Sequence, residues 1–284
     1  MSEFFNENLR TGHIWPSKSP IASPFFFVKK KNGLLRPVQD YQKLNEMTIK
    51  NHCLLPIISD LIDTLSKAKY FTKLDVCWRY NNVCIKEGDE FKAAFWTPYG
   101  LYEPLVIFFS LTNSPATFQM MMNDIFHIEI NNGFVLIYLD NILIFSPDLD
   151  THHCQVQEIL QKCHNNWLYI KPKKCTFNAI EVKYLGVIIS ESNITIDPVK
   201  VGVIATWPEP QTKCDFQSFL GFCNFYCRFI KEYAVIAYPL HSLTGNAPFL
   251  WTDDHSQAFT TIKCHYNHSC PYNSHWWQPI LTES

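Results

Sequence analysis

Between Phe134 and Phe145 the chain is apolar except for one polar step, Asp140-Asn141. A run so short and so interrupted cannot cross a bilayer, and it reads instead as two buried strands joined by a tight turn. Phe134 to Tyr138 forms the first strand, Leu139-Asp140-Asn141 the turn, and Ile142 to Phe145 the second strand. A carboxylate at that turn has two explanations. Asp and Asn tolerate positive φ and are ordinary hairpin residues, and spacing alone favours this structural role. The other explanation is a ligand for a hard divalent cation, which takes oxygen donors. A second acid, Asp75, lies near the end of Tyr70 to Val76, a segment rich in aromatic and β-branched residues that also reads as a strand. Adjacent strands would bring the two carboxylates to one place.

The remaining pattern interleaves strands with helices, which gives an α+β chain. Pro16, Pro20 and Pro24 imply an extended, irregular start, and Phe25 to Lys30, Asn32-Gly33 and Leu34 to Val38 imply a β-hairpin with a basic tip. Ile58, Leu61, Ile62 and Leu65 fall on one helical stripe. A helix starts at Ser114-Pro115, with Ser114 as its cap, and buries Phe118, Met121, Met122 and Ile125. Val156, Ile159, Leu160 and Cys163 mark another helix, and Val182 to Ile189, which contains Gly186, reads as one strand. From Asp197 to Leu243 the pattern is mainly helical, with Phe216, Phe219, Leu220 and Cys223 on one stripe, and the boundary before it falls between Ser190 and Asp197.

With 284 residues, 47% of them hydrophobic, the chain can bury a large core in more than one packing unit. A net charge of -2 argues mildly against a nucleic-acid partner. Positive charge is local, at Lys29 to Lys31 and at Lys171, Lys173 and Lys174, and each cluster taken alone reads as a solvated face. Eleven cysteines, irregularly spaced and without a CxxC pair, argue against a disulfide framework and for a reducing, intracellular setting, the cytoplasm or a particle within it. Cys264, His265, His268 and Cys270, and the pair Cys223 and Cys227, lack the spacing of a structural zinc site. No membrane association is expected.

Tyr138-Leu139-Asp140-Asn141 between apolar strands resembles the YxDD box of reverse transcriptases, and Lys73-Leu74-Asp75-Val76 resembles the segment with that family's first catalytic aspartate. The surrounding segments resemble gypsy-type LTR retrotransposon enzymes in order and spacing. Among them are Arg36-Pro37 with Asp40-Tyr41, Lys92-Ala93-Ala94-Phe95, Leu111 to Gln119, Lys171-Pro172-Lys173-Lys174-Cys175, Tyr184-Leu185-Gly186, Trp207-Pro208 and Asn224-Phe225-Tyr226. The resemblance implies an α+β right-hand polymerase: fingers, a palm made of an antiparallel sheet with helices, and a mainly helical thumb. It further implies fingers and palm over 1–190, a thumb or connection-like region over 191–250, and over 251–284 a remnant leading toward a ribonuclease H domain. The implied activity is RNA-directed DNA synthesis, in which deoxynucleoside triphosphates extend a primer on an RNA or DNA template.

By the same resemblance Asp75, Asp140 and Asn141 are catalytic positions, with Asp75 and Asp140 holding Mg2+, or Mn2+ in its place. Lys30 and Arg36 would grip the triphosphate, and a guanidinium fork and an ammonium suit that task. Tyr80 would gate the sugar, Gln119 would touch substrate, and Leu185-Gly186 would form the primer grip, where close backbone approach favours glycine. The family pattern calls for Asp at Asn141, Gly at Arg79, a His-Gln pair at Asn81-Asn82, Arg at Gln42, and Pro and Gly at Phe108 and Ser110. Asn141 keeps an oxygen donor but loses a charge, so weaker metal binding is expected. The alternative expectation is a catalytically dead retrotransposon remnant that only binds nucleic acid or serves as an interaction scaffold.

Overall fold

The computed structural model describes residues 2–29, 33, 35–51, 65, 68–191, 193–245 and 249–267. The expected helix over Ile58 to Leu65, and Lys30, Lys31, His268 and Cys270, lie outside the described residues, Leu65 excepted. The chain divides into two compact units, Met1–Lys67 with Phe71–Asn178 and Ala68–Tyr70 with Ala179–Ser284.

The first unit opens with helix α1 (Ser2–Arg10) and strand β1 (Ile14–Pro16), so the proline-rich start is more regular than its sequence suggests. Strands β2 (Ser23–Lys29) and β3 (Leu35–Gln39) pair antiparallel with Phe26 opposite Val38, as the Asn32-Gly33 signal predicts, and Gly33 has φ +80°. After α2 (Gln42–Met47) come β4 (Tyr70–Asp75), β5 (Phe95–Thr97) and β6 (Gly100–Pro104). A five-stranded sheet in the order β1-β6-β5-β2-β3 covers a core of Phe5, Ile14, Tyr41, Phe95, Val106 and Phe108. Phe108, where the family pattern calls for proline, is thus a core residue whose ring meets Phe95 edge-on at 6.2 Å.

Helix α3 (Ser114–Ile125) begins one residue earlier than its sequence implies: Asn113 is the N-cap residue, and Ser114 lies inside, its hydroxyl donating to the Phe108 carbonyl at 2.8 Å. Pro115 in the first turn gives up an N–H that has no helical partner there. After the short α4 (His127–Asn131), β7 (Val135–Tyr138) and β8 (Asn141–Ser146) form the expected hairpin. Its turn is tighter than predicted, because Asn141 already pairs with Tyr138 and only Leu139 and Asp140 lie between the strands. Helix α5 (Leu149–Asn165) is capped by Asp148, whose side chain accepts from the Thr151 N–H. With β9 (Thr176–Ala179) the second sheet runs β7-β8-β4-β9. Leu74, Val76, Phe118, Met122, Ile137, Ile142, Ile144 and Ile159 pack between this sheet and its helices. Side chains alternate along a strand, so Asp75 leaves the face that Leu74 and Val76 bury.

A polar chain whose Thr72, Ser146 and His152 are fully buried ties α5 to that sheet. His152 makes hydrogen bonds of 2.8 Å with both Thr72 of β4 and Ser146 of β8, and Ser146 donates to Gln155 at 2.5 Å. Burial, and secondarily the charge of His153, hold the His152 imidazole below its ordinary value of 6.5. The unfolded chain therefore takes up the proton first, so this contribution to stability is intact above about pH 6.5 and is lost as pH falls through the lowered value. We expect the denaturation midpoint to drop between pH 8 and pH 5.5 with a steeper slope in the wild type than in His152→Gln. Parallel pH profiles for the two proteins would remove His152 as the cause.

In the second unit Val182 to Ile189 is not one strand. β10 (Glu181–Tyr184) and β11 (Val187–Ser190) form a hairpin around Leu185-Gly186, both at positive φ, +50° and +87°, and β12 (Asn193–Ile196) completes the sheet. Two consecutive positive φ angles suit a two-residue turn whose twist matches its strands. Apolar residues on both sides hid that turn in the sequence. Helices α6 (Pro198–Ala205), α7 (Lys213–Phe225), α8 (Tyr233–His241) and α9 (Asp253–Asn267) follow, and the predicted stripe of Phe216, Phe219, Leu220 and Cys223 is buried.

Candidate active site

Backbone bonds bring the two acids together at one end of the β7-β8-β4-β9 sheet. The Val76 N–H donates to the Asp140 carbonyl at 2.8 Å, and the Lys171 N–H donates to the Asp75 carbonyl at 2.9 Å. The end of β4 is therefore held between the β7-β8 turn and the segment after α5. Both carboxylates are mostly enclosed, with Asp75 9% and Asp140 6% exposed.

The turn is under backbone strain. Leu139 sits at φ +52°, a left-handed conformation that costs a non-glycine residue about 1–2 kcal/mol. Gln119 of α3 offsets part of this. Its fully buried amide accepts from the Leu139 N–H at 2.7 Å and donates to the Ile137 carbonyl at 3.2 Å and to Asn123 at 2.8 Å. Gln119, expected to touch substrate, thus lies beneath the turn with its amide bonded to backbone. Trp78 and Arg79, three and four residues after Asp75, are also left-handed, at φ +52° and +29°. Strain of this kind collects where a site over-determines its own geometry. Ser110, the other position where the family has glycine, is not at positive φ, and its carbonyl accepts from Asn45 at 2.9 Å.

Each acid already has cationic neighbours. Arg79 donates to Asp140 Oδ1 at 2.5 Å, and the Asn141 amide lies 3.3 Å from the same oxygen. Burial works to lower the Arg79 pKa but is outweighed by its hydrogen bond to Asp140 and by that charge, so the guanidinium is raised above its ordinary value. Lys171 reaches Asp75 Oδ1 at 3.0 Å and Lys174 reaches Oδ2 at 3.6 Å. Taken alone in the sequence, these lysines read as a solvated face. Their clustering around Pro172 was the available signal, because the 3-10 turn Pro172–Lys174 is what aims two of them at one carboxylate.

Tyr80 is 4% exposed and packs edge-on against Phe118 at 5.9 Å and beside Phe109 at 5.6 Å. Asn82 closes the 3-10 turn Arg79–Asn82 by donating to the Cys77 and Arg79 carbonyls. Lys30 lies outside the described residues, and Arg36 is described only through its backbone, which pairs opposite Val28. Leu185 and Gly186 belong to the second unit. There a Cβ on Gly186 would collide with the Tyr226 hydroxyl, so glycine suits the turn for space as well as for φ.

The donor set suits a hard cation. Asp75 and Asp140 offer carboxylate oxygens, and among the described residues no group of three His, Cys, Asp or Glu could hold a metal by itself. Magnesium commonly takes one or two carboxylates and completes its shell with water and substrate phosphates. Two enclosed carboxylates fit that pattern.

Residues 28–189 match the family described as reverse transcriptase (RNA-dependent DNA polymerase). The Tf2-7 and Tf2-3 transposon polyproteins of Schizosaccharomyces pombe are each 35% identical over 264 residues, covering 93% of this chain and 20% of theirs. This chain therefore spans about a fifth of the length of those relatives. In fold it is similar to a foamy viral protease-reverse transcriptase solved with an RNA/DNA hybrid, at TM-score 0.79 and 22% identity over 95% of this chain and 36% of that one. The same kind of protein solved with dsDNA gives TM-score 0.81 at 22% identity, over 96% of this chain and 57% of that one.

Proposed function

Because this chain belongs to the reverse transcriptase (RNA-dependent DNA polymerase) family, we propose that it extends a primer on an RNA or DNA template with deoxynucleoside triphosphates, using Asp75 and Asp140 as the metal-holding carboxylates. The observation that carries this reading is the Val76 to Asp140 backbone bond, which joins the two segments bearing the acids. Bound there, Mg2+ or Mn2+ supplies positive charge that makes a primer 3′-hydroxyl a better nucleophile and offsets charge developing on the phosphates.

The chain's own residues do the positioning. Gln119 and the Val76 N–H fix the turn so that Asp140 does not have to reorganise when substrate arrives. Lys171 and Lys174 are the more exposed members of their ion pairs with Asp75, and in this reading they turn toward phosphates when substrate arrives. In this reading Lys30 and Arg36 contact the triphosphate, and Tyr80 backs the sugar from the core. Leu185-Gly186 presents backbone to the primer end. Fingers and palm take up 1–190, with the thumb or connection-like region over 191–250 and the segment toward ribonuclease H over 251–284.

A second reading, a chain that binds primer-template without extending it, is favoured by the Arg79 ion pair and by Asn141 beside Asp140. One experiment separates the two. Extension of a DNA primer on a homopolymer RNA template, with Mg2+ and then Mn2+, is expected to yield labelled product. Binding that weakens steeply with salt but yields no product would establish the second reading, since phosphate contacts release counterions. No binding at low salt would end both.

A further inference from the structure

We propose that Arg79 is a resident cation of the site: its guanidinium holds the Asp140 oxygen that a divalent ion would take, so ion binding requires Arg79 to withdraw. The inference rests on the reading of Asp75 and Asp140 as metal ligands. Arg79 Nη2 lies 2.5 Å from Asp140 Oδ1, with the Asp140 side chain 8% exposed and that of Arg79 34% exposed. Around the two acids the ion pairs count three cations, Arg79, Lys171 and Lys174, against two carboxylates. Among the described residues these ion pairs thus carry one more positive charge than negative before any ion enters.

The three cations are not equivalent. The Lys171 and Lys174 side chains are 38% and 64% exposed and end in single ammonium groups on flexible stems. Arg79 is anchored at both ends. Its backbone begins the 3-10 turn at φ +29°, and its guanidinium lies 5.6 Å from the centre of the Tyr80 ring while it bonds Asp140. A guanidinium cannot shed its proton to make room. It must move bodily, and repulsion between it and an incoming divalent ion falls directly on metal affinity.

The left-handed backbone makes the test clean. At φ +29° glycine is less strained than arginine, so Arg79→Gly removes the charge without distorting the turn. Arg79→Gln keeps bulk and removes charge alone. Mn2+ binding to the full chain, read from loss of the free-ion electron paramagnetic resonance signal with no substrate present, is expected to tighten about tenfold or more in both variants. Adding Asp140→Asn to Arg79→Gly should abolish the gain. Circular dichroism verifies that each protein is folded.

Unchanged or weaker Mn2+ affinity in both folded variants, with Asp140→Asn still lowering affinity, would overturn the resident-cation proposal and leave the ligand reading standing. Mn2+ binding that is indifferent to Asp140→Asn in every background would overturn the ligand reading, and the proposal with it.

Discussion

Asp75→Asn is expected to lower primer extension by about 10³-fold or more while leaving the fold in place. A carboxylate that holds a metal contributes several kcal/mol to transition-state charge stabilisation, and each 1.36 kcal/mol is a factor of ten in rate. The amide is nearly isosteric with the acid, so the bond from Lys171 N–H to the residue 75 carbonyl is unaffected. What the fold loses is the attraction of Lys171 and Lys174, side chains 38% and 64% exposed. The lysines can rehydrate once the acid is gone, so the loss should stay at ~1 kcal/mol, the upper end for pairs with solvent-exposed partners. Single-turnover extension and a thermal melt on the same preparation test both halves. Extension within tenfold of wild type would remove Asp75 from the chemistry, and a collapsed melt would make the loss of activity uninformative.

Phe118→Ala should have the largest effect on stability, a loss of ~3–5 kcal/mol from the first unit, because a large fully buried ring leaves a cavity that a rigid sheet cannot close. For a unit of this size the melting midpoint should fall by ~6–20 °C. Phe118 packs with Ile137 and Ile142 of the hairpin, and its ring meets Tyr80 at 5.9 Å. One deletion therefore loosens both the support of the Asp140 turn and the environment of the tyrosine assigned to the sugar. Chemical denaturation followed by circular dichroism is the measurement, and a cost below about 1 kcal/mol would show that the core repacks around the gap.

Much of this architecture is legible in the sequence because period and punctuation agree. The Phe134 to Phe145 hairpin, the Ser114-Pro115 helix start and the Phe216 to Cys223 stripe each follow from local rules, and each is present. Legibility fails where a distant contact decides. Nothing near Gly186 announces a turn, since Val182 to Ile189 is apolar throughout most of its length and only the two positive φ angles break it. Asp75 and Asp140 stand out as acids in apolar strands, but their shared position depends on the Val76 to Asp140 bond between segments far apart in the chain. The sequence marks Arg79 as bulk where a glycine was expected. Its pairing with Asp140 follows from the left-handed backbone at Trp78 and Arg79, and local propensity does not foresee that conformation in a tryptophan and an arginine.

The five-stranded sheet sets a timetable for synthesis. Ile14 and Trp15 of β1 pair with Pro104 and Glu103 of β6, and Ser23 and Pro24 of β2 pair in parallel with Phe95 and Trp96 of β5. At ~5–20 residues per second, a ribosome reaches the partner of Ile14 about 5–18 s after Ile14 itself. Through that interval β1 has no ladder, and Phe5, Ile14 and Phe25 lack the Phe95 and Val106 they pack with in the finished core. The nascent chain thus carries exposed aromatic groups and open strand edges on the ribosome, and chaperone occupancy should be concentrated there until residues 95–106 emerge.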